Sequence, residues 1–572
     1  MFLERKQIAM NNYYGIDFDK QREALLKSES ASPIIQNIIN KADEALGKSY
    51  IPIKMSEFMR FYDDGDRRAY EKKYYERRND CVSIAAALWL TEDEKYIKPL
   101  IDTICLVCDE YTWCLPAHAN MENNPSPETI VSRIDLANGE TSKVLTEISV
   151  LVGDRLPGYV NERIEFELRR RIIEGLKSEN YGWQNSTSNW AAVCGGSSAA
   201  VLIHFGTDDE IRLFMPTLYK AMDNFLRGYE NDGCCREGIA YWSYGFGHFL
   251  YFAKLIHTYT AGEKNYFTDE KVKNIAKFFQ KIRMGKRKAY CMSDSIQDYY
   301  ADIKNLSFLR KIYGKDILYP EISLAAHEDN IYSLTGLLWL DADYTKDIWP
   351  LETTYFEDAQ IYIKRTPQYS FAAKGGTNGE PHNHNDIGSF MIVDNDDNIP
   401  VLDPGRSQYC RDSFMPQTRY KIFVNGSQGH SVPIINGKYQ TEGIENKAEN
   451  VVAGENFFSL DIQGGYEEGV INKIHRIFEF CEDSVVMTDE FVLSENTESI
   501  SERFISESMP EIEDGIVSLG RTKLLFEKGK YDVDYGSASY ILAGEERTIY
   551  YIDFKQQDGI LQKFRIEIKM AE

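Results

Sequence analysis

The densest polar run, Gly375 to Asp386 (G-G-T-N-G-E-P-H-N-H-N-D), places two of only nine histidines, His382 and His384, within three residues at the entry to a strand. On a strand, positions i and i+2 face one way, so both imidazoles could reach a common site. Asp403, in V-L-D-P-G, ends the partner strand of the same hairpin, and His430 sits in the loop N-G-S-Q-G-H. Two imidazoles and a carboxylate suit zinc or a similar divalent ion, since neutral nitrogen plus carboxylate matches borderline metals. The same composition suits a hydrogen-bonded turn whose Asn and His side chains satisfy buried backbone, and the spacing leaves both readings open.

Three further clusters carry usable groups. Glu237 to Gly245 (E-G-I-A-Y-W-S-Y-G) follows the turn-like Asn231-Asp232-Gly233 and puts Tyr241 at the head of a helix, with Trp242 and Tyr244 beside it. A tyrosine in a cleft can transfer a proton, and cationic neighbours lower its pKa; the bland alternative is an aromatic stripe packed in a core. The turn Tyr181 to Trp190 (Y-G-W-Q-N-S-T-S-N-W) offers Asn185 and Asn189, which read first as N-caps of the helix that follows. Thr112 to His118 brings one histidine, His118, after a helix end with aromatic company.

The elements that must position these groups change character along the chain. From about residue 30 to 340 the pattern is one of successive amphipathic helices: Asp80 to Trp89, a run to Leu106 opened by a capping-box pattern at Thr91-Glu92-Asp93-Glu94, Ala191 to His204, a run to Leu226 opened by Thr207-Asp208-Asp209-Glu210, and Phe246 to Tyr259. Helix pairs joined by short loops over some 300 residues predict a helical toroid or solenoid. After a linker at Asp341 to Glu357 the period becomes two. Ser389 to Val393 and Ile399 to Leu402 read as a hairpin, and Val451 to Ile462, Ile471 to Glu479, Ser484 to Leu493 and Glu546 to Phe554 read as further strands. The prediction is an α+β, multidomain chain: helices over 1–345, then an antiparallel β-sandwich over 346–572.

A chain of 572 residues is long enough for two or three domains. Its net charge of −24 excludes a nucleic-acid or anionic-membrane surface, which needs a dense basic patch. With an acidic substrate, a local group of Arg, Lys, Asn and His would have to outweigh that field. The ten cysteines are scattered, and Cys105 and Cys108, at helical spacing in an apolar run, read as two buried thiols rather than a redox or zinc site. Met1 to Gly15 lacks the apolar segment of a secretory signal and no run of about 18 apolar residues occurs, so the chain reads as soluble and cytoplasmic, or as secreted if a signal was removed. No phosphate loop or G-x-S-x-G elbow is present, which sets phosphoryl transfer and α/β-hydrolase chemistry aside.

Taken together, the four segments resemble the heparinase II/III-like polysaccharide lyases, over roughly Trp113 to Ile435. The most specific stretch is Lys374 to Arg406, with G-x-x-H-x-H-x-D-x-G-S-F and then L-D-P-G. The resemblance implies an incomplete (α/α) toroid joined to an antiparallel β-sandwich, and cleavage of uronic-acid-containing chains by β-elimination. It implies one divalent metal, mainly structural, at His384, Asp403 and His430; zinc is the first choice, with manganese or calcium as the others. It places His382 where members hold an active-site histidine and Tyr241, with Tyr244 in reserve, where they carry a catalytic tyrosine. The turn before Trp190 corresponds to a carboxylate-binding Asn that members often follow with His. Here no His stands in that turn, so only an asparagine carries over, preferably Asn189, and His118 is a candidate for the missing imidazole. Asn185, Trp242, Tyr244, His118 and Asn383 are expected to touch substrate, and Asp135, Glu140, Arg163 and Arg169 to Arg171 to form ion pairs between helices. The expected partner is an acidic polysaccharide or oligosaccharide: a glycosaminoglycan such as hyaluronan, chondroitin or heparan sulfate, or alternatively alginate. Two other classes remain on the same toroid. A glycoside hydrolase would enlist Asp232 with Glu237, or Asp294, as its pair of carboxylates; a non-catalytic sugar-binding protein would need neither.

Overall fold

A computed structural model describes residues 15–178, 180–298, 302–321 and 334–571. All of Met1 to Gly15 except its last residue, the stretch read for a signal, lies outside them. The chain forms two compact units: the described residues of Met1–Tyr229, Trp242–Ala276 and Tyr300–Asp347, and those of Glu230–Tyr241, Lys277–Tyr299 and Ile348–Glu572. The segments carrying Tyr241 and Asp294 therefore belong to the second unit, although they precede its sheets in sequence.

The first unit is helical and built in two rows. Arg68–Thr91, Leu136–Val152, Asn189–Phe205 and Gly247–Tyr259 pack each on the next and form the inner row. Ser32–Ala45, Ile97–Cys108, Gly158–Leu168 and Asp208–Arg227 pack against them from outside. The sequences show why. The outer helix Asp208–Arg227 buries one stripe, Ile211, Met215, Leu218, Met222 and Phe225, whereas Asn189–Phe205 is buried nearly all round. A helix enclosed on every side needs small residues, and this one reads A-A-V-C-G-G-S-S-A-A; a Cβ on Gly196 would lie 3.2 Å from the His248 carbonyl oxygen. The two-row, α/α arrangement is the predicted toroid.

Local details differ from the sequence reading. Arg68–Thr91 runs as one 24-residue helix, so Thr91 closes it and caps nothing; Glu92 turns left-handed (φ 56°), and Asp93 caps the short helix Glu94–Tyr96 instead. The Thr207/Glu210 capping box forms as expected. Neither Asn185 nor Asn189 is an N-cap: Ser188 takes that position and Asn189 is the first helical residue.

The second unit is antiparallel throughout. An eight-stranded sheet runs in the order Glu511–Glu513, Ile516–Leu519, Thr522–Leu525, Lys563–Lys569, Ser484–Val492, Lys473–Phe480, Phe457–Asp461, Glu449–Ala453. Two four-stranded sheets share its core. One holds Thr354–Phe356, Ile361–Arg365, Tyr369–Lys374 and Phe390–Asp394; the other holds Tyr531–Leu542, Glu545–Gln556, Ile500–Ser506 and Ile434–Ile435. Phe371, Phe390, Phe478, Phe504, Phe554 and Phe564 meet in that core, each burial worth roughly 1.5–3 kcal/mol. The stretch read as one strand, Val451 to Ile462, is two strands, because the turn at Gly454 to Asn456 reverses it. Tyr369–Lys374 and Ile500–Ser506 are buried on both faces, whereas period two is clear in Lys473–Phe480, which points Ile474, Phe478 and Phe480 inward, and Arg476 with them. That guanidinium is matched by Asp489 at 2.6 Å and Glu502 at 3.0 Å, which join the sheets, and it donates at 2.8 Å to the carbonyls of Gly388 and Ser431.

Candidate functional site

In the β unit the G-E-P-H-N-H-N-D run is a loop, not a strand, between Thr377–Asn378 and Phe390–Asp394. His382 and His384 share a site for a different reason than period two. His382 adopts a left-handed conformation (φ 56°), tolerated more readily by His than by branched residues, and the loop is clamped through buried polar groups. Asn385 N donates to Asn425 O at 3.0 Å, Gln440 binds Ile387 N at 3.0 Å and Ile387 O at 2.8 Å, and Lys374 Nζ meets Asp386 Oδ1 at 2.7 Å. The segment is thus the hydrogen-bonded turn of one reading, and the turn brings both imidazoles to one carboxylate.

The two imidazoles converge on Asp294. His382 Nδ1 lies 2.8 Å from Asp294 Oδ2 and His384 Nε2 lies 3.1 Å from Oδ1. Arg419 Nη2 adds a contact to Oδ1 at 3.0 Å, and Tyr409 Oη one to Oδ2 at 3.0 Å. Tyr241 completes the group: its hydroxyl lies 2.7 Å from Tyr409 Oη and 3.3 Å from His382 Nδ1, and its ring stacks on His382 with centroids 4.3 Å apart. Asn383 is held in the same cluster, its carbonyl by Arg419 and its Oδ1 by Tyr420, both at 3.0 Å. Burial alone would raise the Asp294 carboxyl, but the hydrogen bonds of His382 and His384 and the nearby positive charges hold it far below the usual carboxylate range. Burial, and then the Asp294 carboxylate, push the Tyr241 phenol well above its ordinary value, against the Tyr409 hydrogen bond. Glu237 is also pushed up, by burial first. The resting group is therefore a neutral phenol beside an imidazole backed by an anionic carboxylate.

Behind His384 lies a second convergence. His384, Asp403 and His430 are fully buried, and one ligand atom from each falls within 4.8 Å of the others. His384 Nδ1, His430 Nδ1 and Asp403 Oδ2 have no hydrogen-bond partner, while the opposite ring nitrogens are anchored, His384 Nε2 on Asp294 and His430 Nε2 on the Val424 carbonyl at 3.0 Å. Three unpartnered buried atoms, two imidazoles and a carboxylate with oriented outer nitrogens, fit a divalent metal.

The remaining candidates lie in the helical unit. Asp135 Oδ1 caps Leu136–Val152 through Asn138 N at 2.8 Å, and its Oδ2 holds His118 Nδ1 at 2.7 Å, so Asp135 is more than a packing ion-pair residue. The His118 ring packs edge-on against Trp190, 4.7 Å between centroids. Asn189 is buried and its Oδ1 has no partner, a costly arrangement unless a ligand or water completes it. Asn185 accepts from Lys220 Nζ at 2.8 Å near the surface. Trp242 is a correction: its ring is fully buried in the helical core with Nε1 donating to Ile275 O at 2.8 Å, which leaves no face for a sugar. Tyr244 packs against His248, and its hydrogen bond acts on the Glu140 carboxyl, which burial pushes up to about 7. Of the expected ion pairs between helices, Arg169 reaches Glu210 at 2.9 Å and Arg163 reaches Asp109 at 3.1 Å, whereas Glu167 takes Arg163 at 3.2 Å, Arg170 at 2.7 Å and Arg171 at 2.8 Å along its own helical run.

Sequence reasoning missed Tyr409 and Arg419 and gave Asp294 only a hydrolase role. All three stand outside any motif with spacing of its own; Tyr409, six residues after Asp403 in D-P-G-R-S-Q-Y, offers the one usable hint, a tyrosine shortly after the D-P-G turn.

No protein-family model and no curated protein sequence matches the chain. Solved structures do. A heparan sulfate lyase from Pedobacter heparinus is similar with a TM-score of 0.59 at 13% identity, over 97% of this chain and 88% of that one. A heparinase III gives 0.60 at 12% over 99% and 93%. A chondroitin AC lyase from Streptomyces coelicolor, in complex with chondroitin sulphate, gives 0.55 at 11% over 97% and 83%. The resemblance to heparinase II/III-like lyases is thus a likeness of fold along nearly the whole chain: helical toroid first, antiparallel β domain after it.

Proposed function

We propose that this protein is a polysaccharide lyase that cleaves uronic-acid-containing chains, glycosaminoglycans first, by β-elimination. The observation that carries the proposal is the pairing of the Tyr241 phenol with the His382 imidazole over Asp294 and Tyr409. Elimination needs one group to take the C5 proton and one to protonate the leaving O4. A neutral phenol suits the second task. The His382 imidazole, with Nδ1 toward Asp294, keeps Nε2 for the first. The C5–H and C4–O4 bonds break, a C4–C5 double bond forms, the C5 proton goes to the imidazole and the phenol proton to O4. Between turnovers the proton on His382 Nε2 leaves to water and the Tyr241 phenolate takes a proton from water, which restores both groups with Nδ1–H still on Asp294. Such acid–base help is worth about 10² to 10⁴ in rate.

The uronate carboxylate must be neutralised while charge spreads into it. The resemblance suggests Asn189, through its amide N–H, as that donor, with His118 as the second candidate; one donor of this kind is worth about 3–4 kcal/mol in the transition state. A divalent ion at His384, Asp403 and His430, zinc by ligand type, would supply cohesion between the His384 loop and the turn at Asp403. A hydrolase has less to stand on here: both Asp294 oxygens are occupied by donors. The glycosaminoglycan preference rests on the substrates for which the similar lyases are named, heparan sulfate and chondroitin.

Cleavage in water labelled with oxygen-18 tests the reaction class. An elimination leaves both new ends free of label. Incorporation of one labelled oxygen per cut would establish hydrolysis and reject the proposal.

A further inference from the structure

We propose that Asp294 is the positioning residue of the site: one carboxylate that orients the catalytic imidazole of His382 and the metal-site imidazole of His384 together. The inference rests on the lyase reading for its catalytic meaning. Its structural content stands on the donors around Asp294. That side chain is fully buried and accepts from four groups, His384 and Arg419 on Oδ1, His382 and Tyr409 on Oδ2, at 2.8–3.1 Å. A carboxylate surrounded only by donors can only accept. Each imidazole must therefore present an N–H to it, His382 through Nδ1 and His384 through Nε2, so that in the neutral rings the lone pairs fall on His382 Nε2 and His384 Nδ1. The His384 lone pair is the one that meets Asp403 and His430. The His382 Nε2 has no partner among the described residues, and its side chain is 23% exposed, so that lone pair is left for a ligand.

Tyr409 extends the same logic to Tyr241. Because Tyr409 gives its proton to Asp294 Oδ2, its oxygen is the acceptor for the Tyr241 hydroxyl at 2.7 Å. The order Tyr241 to Tyr409 to Asp294 thus fixes where the Tyr241 proton rests between turnovers. Arg419, which also holds the Asn383 carbonyl, ties the carboxylate to the backbone between the two histidines. A role confined to stability would need the carboxylate but not this division of its two oxygens between a metal-site ring and a reacting ring.

The test uses the full chain with zinc added, in wild type, Asp294→Asn and Tyr409→Phe. Nitrogen-15 spectra of labelled histidine, with the His382 signal assigned from its loss in His382→Gln, read the tautomer directly and independently of turnover. Wild type is expected to show His382 Nδ1 protonated and hydrogen-bonded, and Asp294→Asn to lose that state. On a cleaved polymer, Asp294→Asn is expected to lower kcat by about 10³ to 10⁴, as loss of an orienting carboxylate does elsewhere, with KM changed far less, and saturating zinc is expected not to restore it. Tyr409→Phe, which removes one peripheral donor and spares the fold, is expected to cost about 10- to 100-fold in kcat. The proposal is overturned if His382 keeps its tautomer in Asp294→Asn, or if added zinc alone restores kcat. Should Asp294→Asn not fold, an unchanged kcat in Tyr409→Phe overturns it instead. If wild type cleaves no polymer, the lyase reading fails while the spectra still decide what Asp294 does.

Discussion

At the scale of single residues, the account makes the Tyr241 hydroxyl and the His382 ring indispensable to turnover and of little weight in folding. Tyr241→Phe keeps the ring stacked on His382 and removes one hydroxyl; kcat is expected to fall by about 10² to 10⁴ while the thermal midpoint stays within a few degrees of wild type, and a variant of undiminished kcat would contradict the role. A second residue-scale prediction concerns Glu140, whose carboxyl burial pushes up to about 7 from an ordinary 4.5. The folded state then binds more protons than the unfolded state between those values. Its contribution to stability is fully present below about pH 4.5 and is lost as pH rises through about 7, a change on the order of 3 kcal/mol. Denaturant titrations should show this decline in wild type and a flatter profile in Glu140→Gln; parallel profiles would refute the assignment. These residues were unequally legible in the sequence. His382, His384, Asp403 and His430 stood out because histidine is scarce in this chain and the H-x-H spacing is short. Tyr409, Arg419 and the true partner of Asp294 did not, since a carboxylate brought to two histidines across the fold leaves no mark on local spacing.

At the scale of elements, the helices were readable where one face is buried and least so where burial is complete. The outer helix Asp208–Arg227 announces itself by its stripe and its capping box, and both are found. The start of Arg68–Thr91 was missed because its first turns, R-A-Y-E-K-K-Y-Y-E-R-R, carry too much charge to look buried, although Tyr70, Tyr74, Arg77 and Arg78 all are. Arg78 is paid for by Glu110 at 2.7 Å and by the Thr141 hydroxyl at 2.8 Å, contacts that sequence distance conceals. The strands show the same contrast: period two located most of them, whereas Arg476 at an inward position is a charge the pattern alone would place outside. Its role is to join two sheets and to hold Gly388 and Ser431, in the loops that carry His384 and His430. Arg476→Met should leave Asp489 and Glu502 buried without their cation and cost about 3–5 kcal/mol, read as a lowered denaturation midpoint. A midpoint within experimental error of wild type would show that the carboxylates find another partner.

At the scale of the whole molecule, the net charge of −24 sets a condition on any acidic substrate. A polyanion approaching such a surface is repelled at long range, and the range shrinks from about 30 Å at 0.01 M salt to about 8 Å at 0.15 M. The value of kcat/KM for an acidic oligosaccharide should therefore rise over that interval; a steady fall would mean that local cations dominate the encounter. Among the described residues no helix is long and apolar enough to cross a membrane. The likeness to heparan sulfate and chondroitin lyases extends over nearly the whole chain and concerns the fold, so the chemistry must be tested on the protein itself. The most direct test follows ultraviolet absorbance while folded, zinc-loaded protein meets hyaluronan, chondroitin sulfate, dermatan sulfate, heparan sulfate, heparin and alginate, each as polymer and as short oligosaccharide. The account predicts growth of the band of a 4,5-unsaturated uronate with at least one glycosaminoglycan, and its absence with Tyr241→Phe. Silence of the wild-type protein across the whole panel would contradict it.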